Sequence, residues 1–164
     1  MTAGDQARVS MAVAADPARA FVAFTEEIDL WWRRGPRFRN APGDQGLICL
    51  EPHLGGRVFE SYAVDGQETV VEIGRIKRWE PPHHLLFDWR NATFAPGEMT
   101  EVEITFKARG AGTLVTVVHR GWRSVRPDHP ARHGQAEQAF LRMIGMWWAD
   151  MLRSLDGRVR RLRG

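Results

Sequence analysis

The chain has very little cysteine: Cys49 is the single one among 164 residues. One cysteine cannot form an intramolecular disulfide, which excludes the class of small secreted domains held together by disulfide frameworks. The N-terminal segment MTAGDQARVSMAVAAD also carries acidic residues where a secretory signal peptide would have its apolar run. We therefore expect a reducing, cytoplasmic setting.

Long apolar runs are missing as well, because charged residues recur every few positions. A transmembrane helix needs about 20 consecutive, mostly apolar residues, so we expect no membrane association. The sequence also lacks a GxSxG elbow, a Walker loop and a GxGxxG fingerprint. The acyl-hydrolase, nucleotide-triphosphatase and dinucleotide-binding classes therefore lack their minimum parts, and we expect neither a cofactor nor a catalytic set.

Candidate metal ligands are few. They are Asp128, His129 and His133, of which His129 and His133 have the i, i+4 spacing that puts two imidazoles on one helical face. However, Pro127 and Pro130 place His129 before or at the start of a helix, and no HExxH pattern or second cysteine supplements the pair. We interpret these residues as a solvated helix N-terminus and expect no metal site.

The formal net charge is +3 and the pI is near 9.7. Much of the basic excess lies in residues 33–39 (RRGPRFR) and in a basic C-terminal tail, residues 158–164. The tail ends a long helical pattern, where cations complement the helix dipole and the free carbonyls. This favours a solvated helix end over nucleic-acid contact, so we expect no nucleic-acid partner.

What the chain has in number is bulky apolar rings, with seven Trp and eight Phe against one Tyr. Hydrophobic residues make up 43% of the sequence. The length suits a single domain, residues 1–164, with one core. The rings can line an interior or a cavity.

The segment from Leu50 to Trp89 predicts neighbouring antiparallel strands. Gly55-Gly56 and Asp65-Gly66 supply the positive φ values of tight turns, and Pro81-Pro82 must interrupt a ladder. Further strands are predicted at Val9–Ala14, Leu47–Pro52, Thr100–Ala108 and Thr113–Trp122, the last of them central because neither of its faces is wholly polar.

Helical patterns flank these strands. Asp16 followed by Pro17 predicts a helix N-terminus, and the apolar run to Trp32 favours two short helices. Residues 33–46 form a loop long enough to act as a lid. From Pro130 to Leu162 an apolar stripe at three- and four-residue steps predicts one long helix. We expect that helix to bury its stripe in the concavity of the sheet.

Together these elements predict an α+β fold: a curved antiparallel sheet of about six to seven strands around a long C-terminal helix, with two short helices after strand 1. This order of elements resembles the helix-grip fold. The chain resembles the START-like superfamily, also called SRPBCC or Bet v 1-like, and within it the AHSA1-like branch (activator of Hsp90 ATPase homologue). The resemblance covers nearly all of Val9 to Leu162. It is carried by the GGRVFE run at 55–60, Asp65-Gly66, Gly74-Arg75-Ile76, Pro81-Pro82, the run from Leu85 to Trp89, the strand that ends in His119 and the Trp-rich closing helix. Members of the superfamily bind lipids, hormones or polyketides, act as cyclases, or serve as co-chaperone domains, and no fixed catalytic set belongs to the fold.

Two polar residues stand out within the strands. Glu60 shares a strand face with Val58, so an internal face would make it a buried carboxylate with a partner such as Arg75 or His119. His119 ends an apolar strand, where it is either a satisfied core histidine or a general base.

Adjacent Trp residues on a helix point about 100° apart, so each Trp pair is expected to offer one ring to the interior and one elsewhere. A grip fold leaves a gap between helix and sheet, and rings with a few polar groups can make an apolar pocket there. The predicted ligand-binding residues are Trp31, Trp32, Glu60, Arg75, Trp89, His119, Met143 and Trp147.

The sequence thus predicts a monomer or homodimer that binds a small apolar or aromatic molecule without catalysing a reaction. The alternatives are an interaction module acting on an Hsp90-type chaperone, and a cyclase or hydrolase acting on a polyketide-like substrate in the same cavity.

Overall fold

The computed structural model describes residues 5–43, 45–90, 94–129, 132 and 134–161. Within these residues the elements follow one another as β1 (Gln6–Val13), α1 (Pro17–Thr25), α2 (Ile28–Trp31), β2 (Leu47–Leu50), β3 (Arg57–Val64), β4 (Gln67–Glu80), β5 (His84–Trp89), β6 (Thr100–Arg109), β7 (Gly112–Arg120) and α3 (Glu137–Arg161).

The seven strands form one curled antiparallel sheet in the order β1-β7-β6-β5-β4-β3-β2. Strands β2 to β7 are sequential neighbours, and β1 returns to pair with β7, with Val9 opposite Val117. The helix-grip fold expected from the sequence is confirmed. Strand β7 is an interior strand, as predicted, since it pairs with β1 on one side and β6 on the other; it is the second strand from one edge of the sheet.

Turn chemistry explains the hairpins. Asp65 and Gly66 both have positive φ, +50° and +78°, as a two-residue turn between β3 and β4 requires. Gly55 is also left-handed, at +83°, but its neighbour Gly56 is not. Gly56 is needed for another reason, because a Cβ there would overlap the carbonyl oxygen of Glu51.

The two short helices form as predicted. The Asp16 carboxylate accepts a hydrogen bond from the Arg19 backbone N–H at 2.8 Å, which caps α1, and Pro17 occupies its first turn. Phe21 and Phe24 of α1 are buried against the sheet.

Helix α3 begins at Glu137, seven residues later than predicted, and Pro130 and Leu162 lie outside the described residues. Two observations account for the late start. Gly134 has a φ of +68°, which a helix cannot continue through, and the Arg132 guanidinium donates to the carbonyl oxygens of Trp122 and Val125 at 2.6 and 2.9 Å. Arg132 and Gly134 therefore lie outside the helix.

The interpretation of His129 as solvated is wrong. It is buried and meets the Phe94 ring edge-on at 5.1 Å. His133 lies outside the described residues.

Several strand limits also differ from the sequence prediction. β7 ends at Arg120 and does not reach Trp122, which begins a short 3-10 helix. β1 begins three residues earlier than Val9, at Gln6, because pairing with β7 extends to Arg120. β2 stops at Leu50 and does not reach Pro52, because the carbonyl oxygen of Glu51 accepts the His53 N–H in a turn.

The core lies between the concave face of the sheet and the helices. Helix α3 buries one stripe there, consisting of Phe140, Trp148, Met151, Leu152, Leu155 and Val159. Its C-terminal half is tied to the N-terminal region: Asp156 accepts the Ala14 N–H at 2.9 Å, and Arg158 pairs with Glu27 at 3.0 Å.

Of the predicted basic tail, residues 158–161 are the last turn of α3, and residues 162–164 lie outside the described range. Among the helices that the structure describes, none has the length and apolar character needed to cross a membrane.

Candidate functional site

A cavity of about 450 Å³ lies between the concave face of the sheet, α3 and the loop of residues 33–46. Its walls come from four parts of the chain: the segment from Trp32 to Asn40, the strand residues Glu60, Ile73, Trp89 and His119, the segments with Arg90, Phe94 and Trp122, and the α3 residues Met143, Ile144, Trp147 and Trp148. Pro36, Arg37, Asn40 and Arg90 are exposed, so they mark its mouth.

Four rings make a continuous aromatic wall. Trp32 and Trp89 stack with their ring centroids 5.8 Å apart and their planes 15° from parallel. Trp147 meets both of them edge-on at 5.8 Å. On its other side Trp147 stacks on Phe38, 5.4 Å away at 30°. The wall thus joins the end of α2, strand β5, helix α3 and the loop.

Backbone conformation decides where the first Trp pair points. Trp32 follows the last residue of α2 and has extended dihedrals, φ −62° and ψ 120°, so the helical 100° rule does not apply between Trp31 and Trp32. Both rings are buried, contrary to the expectation of one ring pointing elsewhere. Trp31 donates to the Ala23 carbonyl at 2.9 Å and packs on Phe24, so it belongs to the core and does not line the cavity.

His119 lies fully buried at the inner end of the cavity. Its Nδ1 accepts the indole N–H of Trp148 at 3.1 Å, and its Nε2 lies 2.8 Å from Oγ1 of Thr100. Because an indole can only donate, Nδ1 carries no proton and the proton of the neutral ring is on Nε2. The Thr100 hydroxyl in turn donates a hydrogen bond to the carbonyl oxygen of Trp89 at 3.0 Å.

Burial lowers the pKa of His119 to about 3. Both ring nitrogens are used in the hydrogen-bond chain, so this histidine is a satisfied core residue that fixes the position of two Trp rings. The alternative of a general base would require it to give up the bond to Trp148.

Glu60 is 1% exposed and shares the inward face of β3 with Val58, as the alternation predicted. Its partners differ from those expected. One carboxylate oxygen accepts the backbone N–H of Asn40 at 2.8 Å and its side-chain amide at 3.1 Å; the other accepts the Ala41 N–H at 2.7 Å. Three N–H donors thus compensate the buried charge, and Glu60 anchors the loop to the sheet.

Arg75 does not reach the cavity. Its inward neighbour Ile76 is buried, and successive strand residues alternate faces, so the Arg75 side chain points outward. It is more than half exposed and pairs with Glu72 at 2.7 Å.

Arg39 fastens the middle of the loop. Its guanidinium is buried, forms a 2.7 Å ion pair with Asp29 and donates to the carbonyl oxygens of Trp32 and Arg33. Two indole N–H groups hold the loop from the cavity side: Trp32 donates to the Phe38 carbonyl at 2.9 Å and Trp147 to the Arg37 carbonyl at 2.8 Å.

The structure thus brings six of the eight sequence-predicted residues to one cavity: Trp32, Glu60, Trp89, His119, Met143 and Trp147. Sequence reasoning missed Phe38, Asn40 and Trp148 as lining residues. Phe38 is the one aromatic residue in the basic run of residues 33–39. A single ring among cations could have indicated packing against other aromatic rings. Asn40 and Trp148 act through hydrogen bonds that no sequence pattern predicts.

Trp122 also lines the cavity, and its buried Nε1 has no hydrogen-bond acceptor among the described residues. Within the same part of the chain, no three His, Cys, Asp or Glu side chains come together as a set of metal ligands.

Solved structures share this architecture. A protein from Rhodobacter sphaeroides is 20% identical, with a TM-score of 0.66 over 98% of this chain and 95% of that one. The Aha1 dimer from Colwellia psychrerythraea is 14% identical, with a TM-score of 0.58 over 92% of each chain. Txn09, named as an anthrahydroquino-gamma-pyrone synthase and solved as a complex, is 27% identical, with a TM-score of 0.52 over 85% of this chain and 87% of that one.

No curated protein matches the chain. The model of one protein family does match it, over residues 14–156, from the end of β1 to the last turns of α3. The chain therefore belongs to the AHSA1 family, the activator of Hsp90 ATPase homolog 1-like proteins.

Proposed function

We propose that the protein binds a small aromatic or otherwise apolar molecule in the cavity between the sheet and α3. The observation that carries this proposal is the aromatic wall of a cavity of about 450 Å³. That volume falls within the range of small-molecule sites, and mostly apolar walls with a few polar groups are typical of them.

Burial supplies the affinity. Each 100 Å² of apolar ligand surface removed from water contributes roughly 2.5 kcal/mol, before the cost of association. The rings of Trp32, Trp89 and Trp147 meet one another face to face or edge to face, so an aromatic ligand can extend the same arrangement.

The loop of residues 33–46 acts as the gate. Phe38 covers one side of Trp147, and two hydrogen bonds from indole N–H groups to the carbonyl oxygens of Arg37 and Phe38 close the segment over the cavity. Opening is confined to residues 36–38, because Arg39 is held by Asp29 and Ala41 by the Glu60 carboxylate.

The test is a fluorescence titration with N-phenyl-naphthylamine, a neutral aromatic probe. We expect saturable binding by the wild type and a rise in the unfolding temperature, since a ligand that binds only the folded state stabilises it. Trp147→Leu, which removes a cavity ring, should weaken binding by about tenfold or more, the equivalent of about 1.4 kcal/mol.

Trp79→Leu is the matched control. Trp79 packs on Phe21 at 5.1 Å and does not line the cavity, so its loss should leave the affinity unchanged. Equal losses in the two variants, or no saturable binding by the wild type, would overturn the proposal.

A second candidate function is a reaction on the bound aromatic molecule, and the observation that favours it is the 27% identity to Txn09. Of the residues lining the cavity, Glu60 and His119 carry groups that can exchange a proton, and each would first have to release hydrogen bonds that it makes within the protein. Incubation with an anthrahydroquinone-type substrate and mass spectrometry of the products tests it: a product formed by the wild type and lost in Glu60→Gln supports the reaction, and unchanged substrate that is nevertheless bound refutes it.

A chaperone partner stays a prediction for this chain, because the likeness to the Aha1 dimer is at 14% identity and concerns the fold. Stimulation of an Hsp90 ATPase by the purified protein would support it, and an unchanged ATPase rate would count against it.

A further inference from the structure

The charged residues that line the cavity differ in whether the protein itself supplies a partner for the charge. Five residues that line it can carry a charge: Arg37, Arg39, Glu60, Arg90 and His119. Three of them are already used by the protein, since Arg39 pairs with Asp29, the Glu60 carboxylate accepts three N–H groups, and His119 is neutral. The two that remain are both arginines, and both are exposed at the mouth.

Arg37 lies at the edge of the aromatic wall. Its guanidinium carbon is 5.3 Å from the centroid of the Phe38 ring, and that ring stacks on Trp147. The Arg37 carbonyl oxygen accepts the Trp147 indole N–H, which fixes the backbone of this residue beside the cavity.

Arg90 lies just after β5 and is held by two lining residues. Its backbone N–H donates to the carbonyl oxygen of Ile73 at 2.6 Å, and its guanidinium donates to that of Phe94 at 3.4 Å. Among the residues that the structure describes, neither Arg37 nor Arg90 forms an ion pair.

We infer that the ligand of this cavity is an aromatic acid, with its ring system against the Trp wall and its carboxylate, sulfonate or phosphate group bound at the mouth by Arg37 and Arg90. This inference rests on the proposed function and adds the chemical class of the ligand. A guanidinium binds the oxygens of such groups with paired, charge-assisted hydrogen bonds. An uncharged ligand would leave both arginines without an anionic partner.

The test uses two probes that differ by one anionic group: anilinonaphthalene sulfonate and N-phenyl-naphthylamine. Each is titrated into the wild type, Arg37→Gln, Arg90→Gln and a control, Arg109→Gln. Arg109 is the exposed last residue of β6, and Thr100 is the first residue of that strand. Arg109 is therefore far from the cavity. Circular dichroism and unfolding curves verify that each variant is folded.

We expect the sulfonate probe to bind Arg37→Gln and Arg90→Gln about three- to tenfold more weakly, as the loss of one partly exposed charge-assisted bond predicts. The neutral probe should bind all four proteins equally, and Arg109→Gln should match the wild type with both probes. Added salt should weaken binding of the sulfonate probe alone.

Three results would overturn the inference. If the neutral probe binds and the sulfonate probe is excluded, or if the mutations leave the sulfonate affinity unchanged, the ligand is not an acid, while the proposed function stands. If the neutral probe shows no saturable binding to the wild type, the proposed function fails and the inference fails with it.

Discussion

The indole N–H of Trp148 on α3 donates a hydrogen bond to Nδ1 of His119 on β7, across 3.1 Å. This bond joins the gripping helix to the sheet at the inner end of the cavity. Because it fixes the tautomer of His119, it also directs the Nε2 proton to Thr100, whose hydroxyl holds the backbone of Trp89. One side chain on the helix thereby positions a ring on the opposite wall.

Trp148→Phe removes that donor and leaves Nδ1 buried without a partner. We expect a loss of about 1–3 kcal/mol in the free energy of unfolding, the cost of an unsatisfied buried group. Trp147→Phe is the matched control, because the carbonyl it releases, that of the exposed Arg37, can bind water. Urea unfolding of both variants measures the difference, and equal losses would contradict the role given to the bond.

Stability should fall in acid because of His119. Its pKa is about 3 in the folded protein and 6.5 ordinarily, so between these values the unfolded chain binds the extra proton. The contribution of His119 is therefore fully present above pH 6.5 and is lost as the pH falls towards 3. The maximum slope is about 1.4 kcal/mol per pH unit.

His119→Asn keeps an acceptor for Trp148 but has no titratable group. Urea unfolding at a series of pH values should give a shallower acid loss for this variant than for the wild type. Parallel curves would show that His119 is not the source of the slope.

Glu60→Gln replaces an acceptor pair with one oxygen and an amide that faces donor groups. We expect a loss of about 1–3 kcal/mol in unfolding free energy and faster amide exchange at Asn40 or Ala41, because the one remaining oxygen can accept only one of these two N–H groups with the original geometry. Glu68→Gln is the control, since Glu68 contacts Ser61 in an exposed position. Unchanged exchange at Asn40 and Ala41 would disprove the anchoring role.

Helix α3 contains two glycines that it does not need. A Cβ at Gly157 would meet no atom within 4 Å, and one at Gly145 would contact only Val9, at 3.7 Å. Gly145→Ala and Gly157→Ala should each raise the unfolding free energy by about 0.5–1 kcal/mol, because alanine loses less backbone entropy in a helix. Gly74→Ala provides the contrast: its Cβ would overlap the Asp88 carbonyl, so thermal unfolding should show a clear loss.

Several structural elements could be predicted from the few residues that form them. Asp65-Gly66 can form a two-residue turn in any context, and Asp16-Pro17 caps a helix by its own side chain and ring. The start of α3 was predicted too early, at Pro130, although the apolar stripe begins only at Phe140. The positive φ of Gly134 and the bonds from Arg132 to the carbonyl oxygens of Trp122 and Val125 delay the helix.

The candidate site was predictable in its residue types but less so in its contacts. Trp32, Trp89 and Trp147 were expected at a cavity because a grip fold leaves a gap there. Arg75 was placed wrongly, because naming it as a partner for a buried Glu60 carboxylate ignored the face of β4 on which Arg75 lies. The Glu60 carboxylate instead accepts hydrogen bonds from backbone N–H groups of a loop some twenty positions away.

The sequence by itself determined the antiparallel sheet, the two short helices and the amphipathic closing helix, because turn residues and apolar periodicity act over a few neighbouring positions. Only the tertiary structure decided that Trp148 and His119 bond to each other, that Glu60 anchors the loop, and that Arg37 and Arg90 remain at the mouth. These are contacts between segments distant in the chain, and which atoms meet is settled when the helix packs into the sheet.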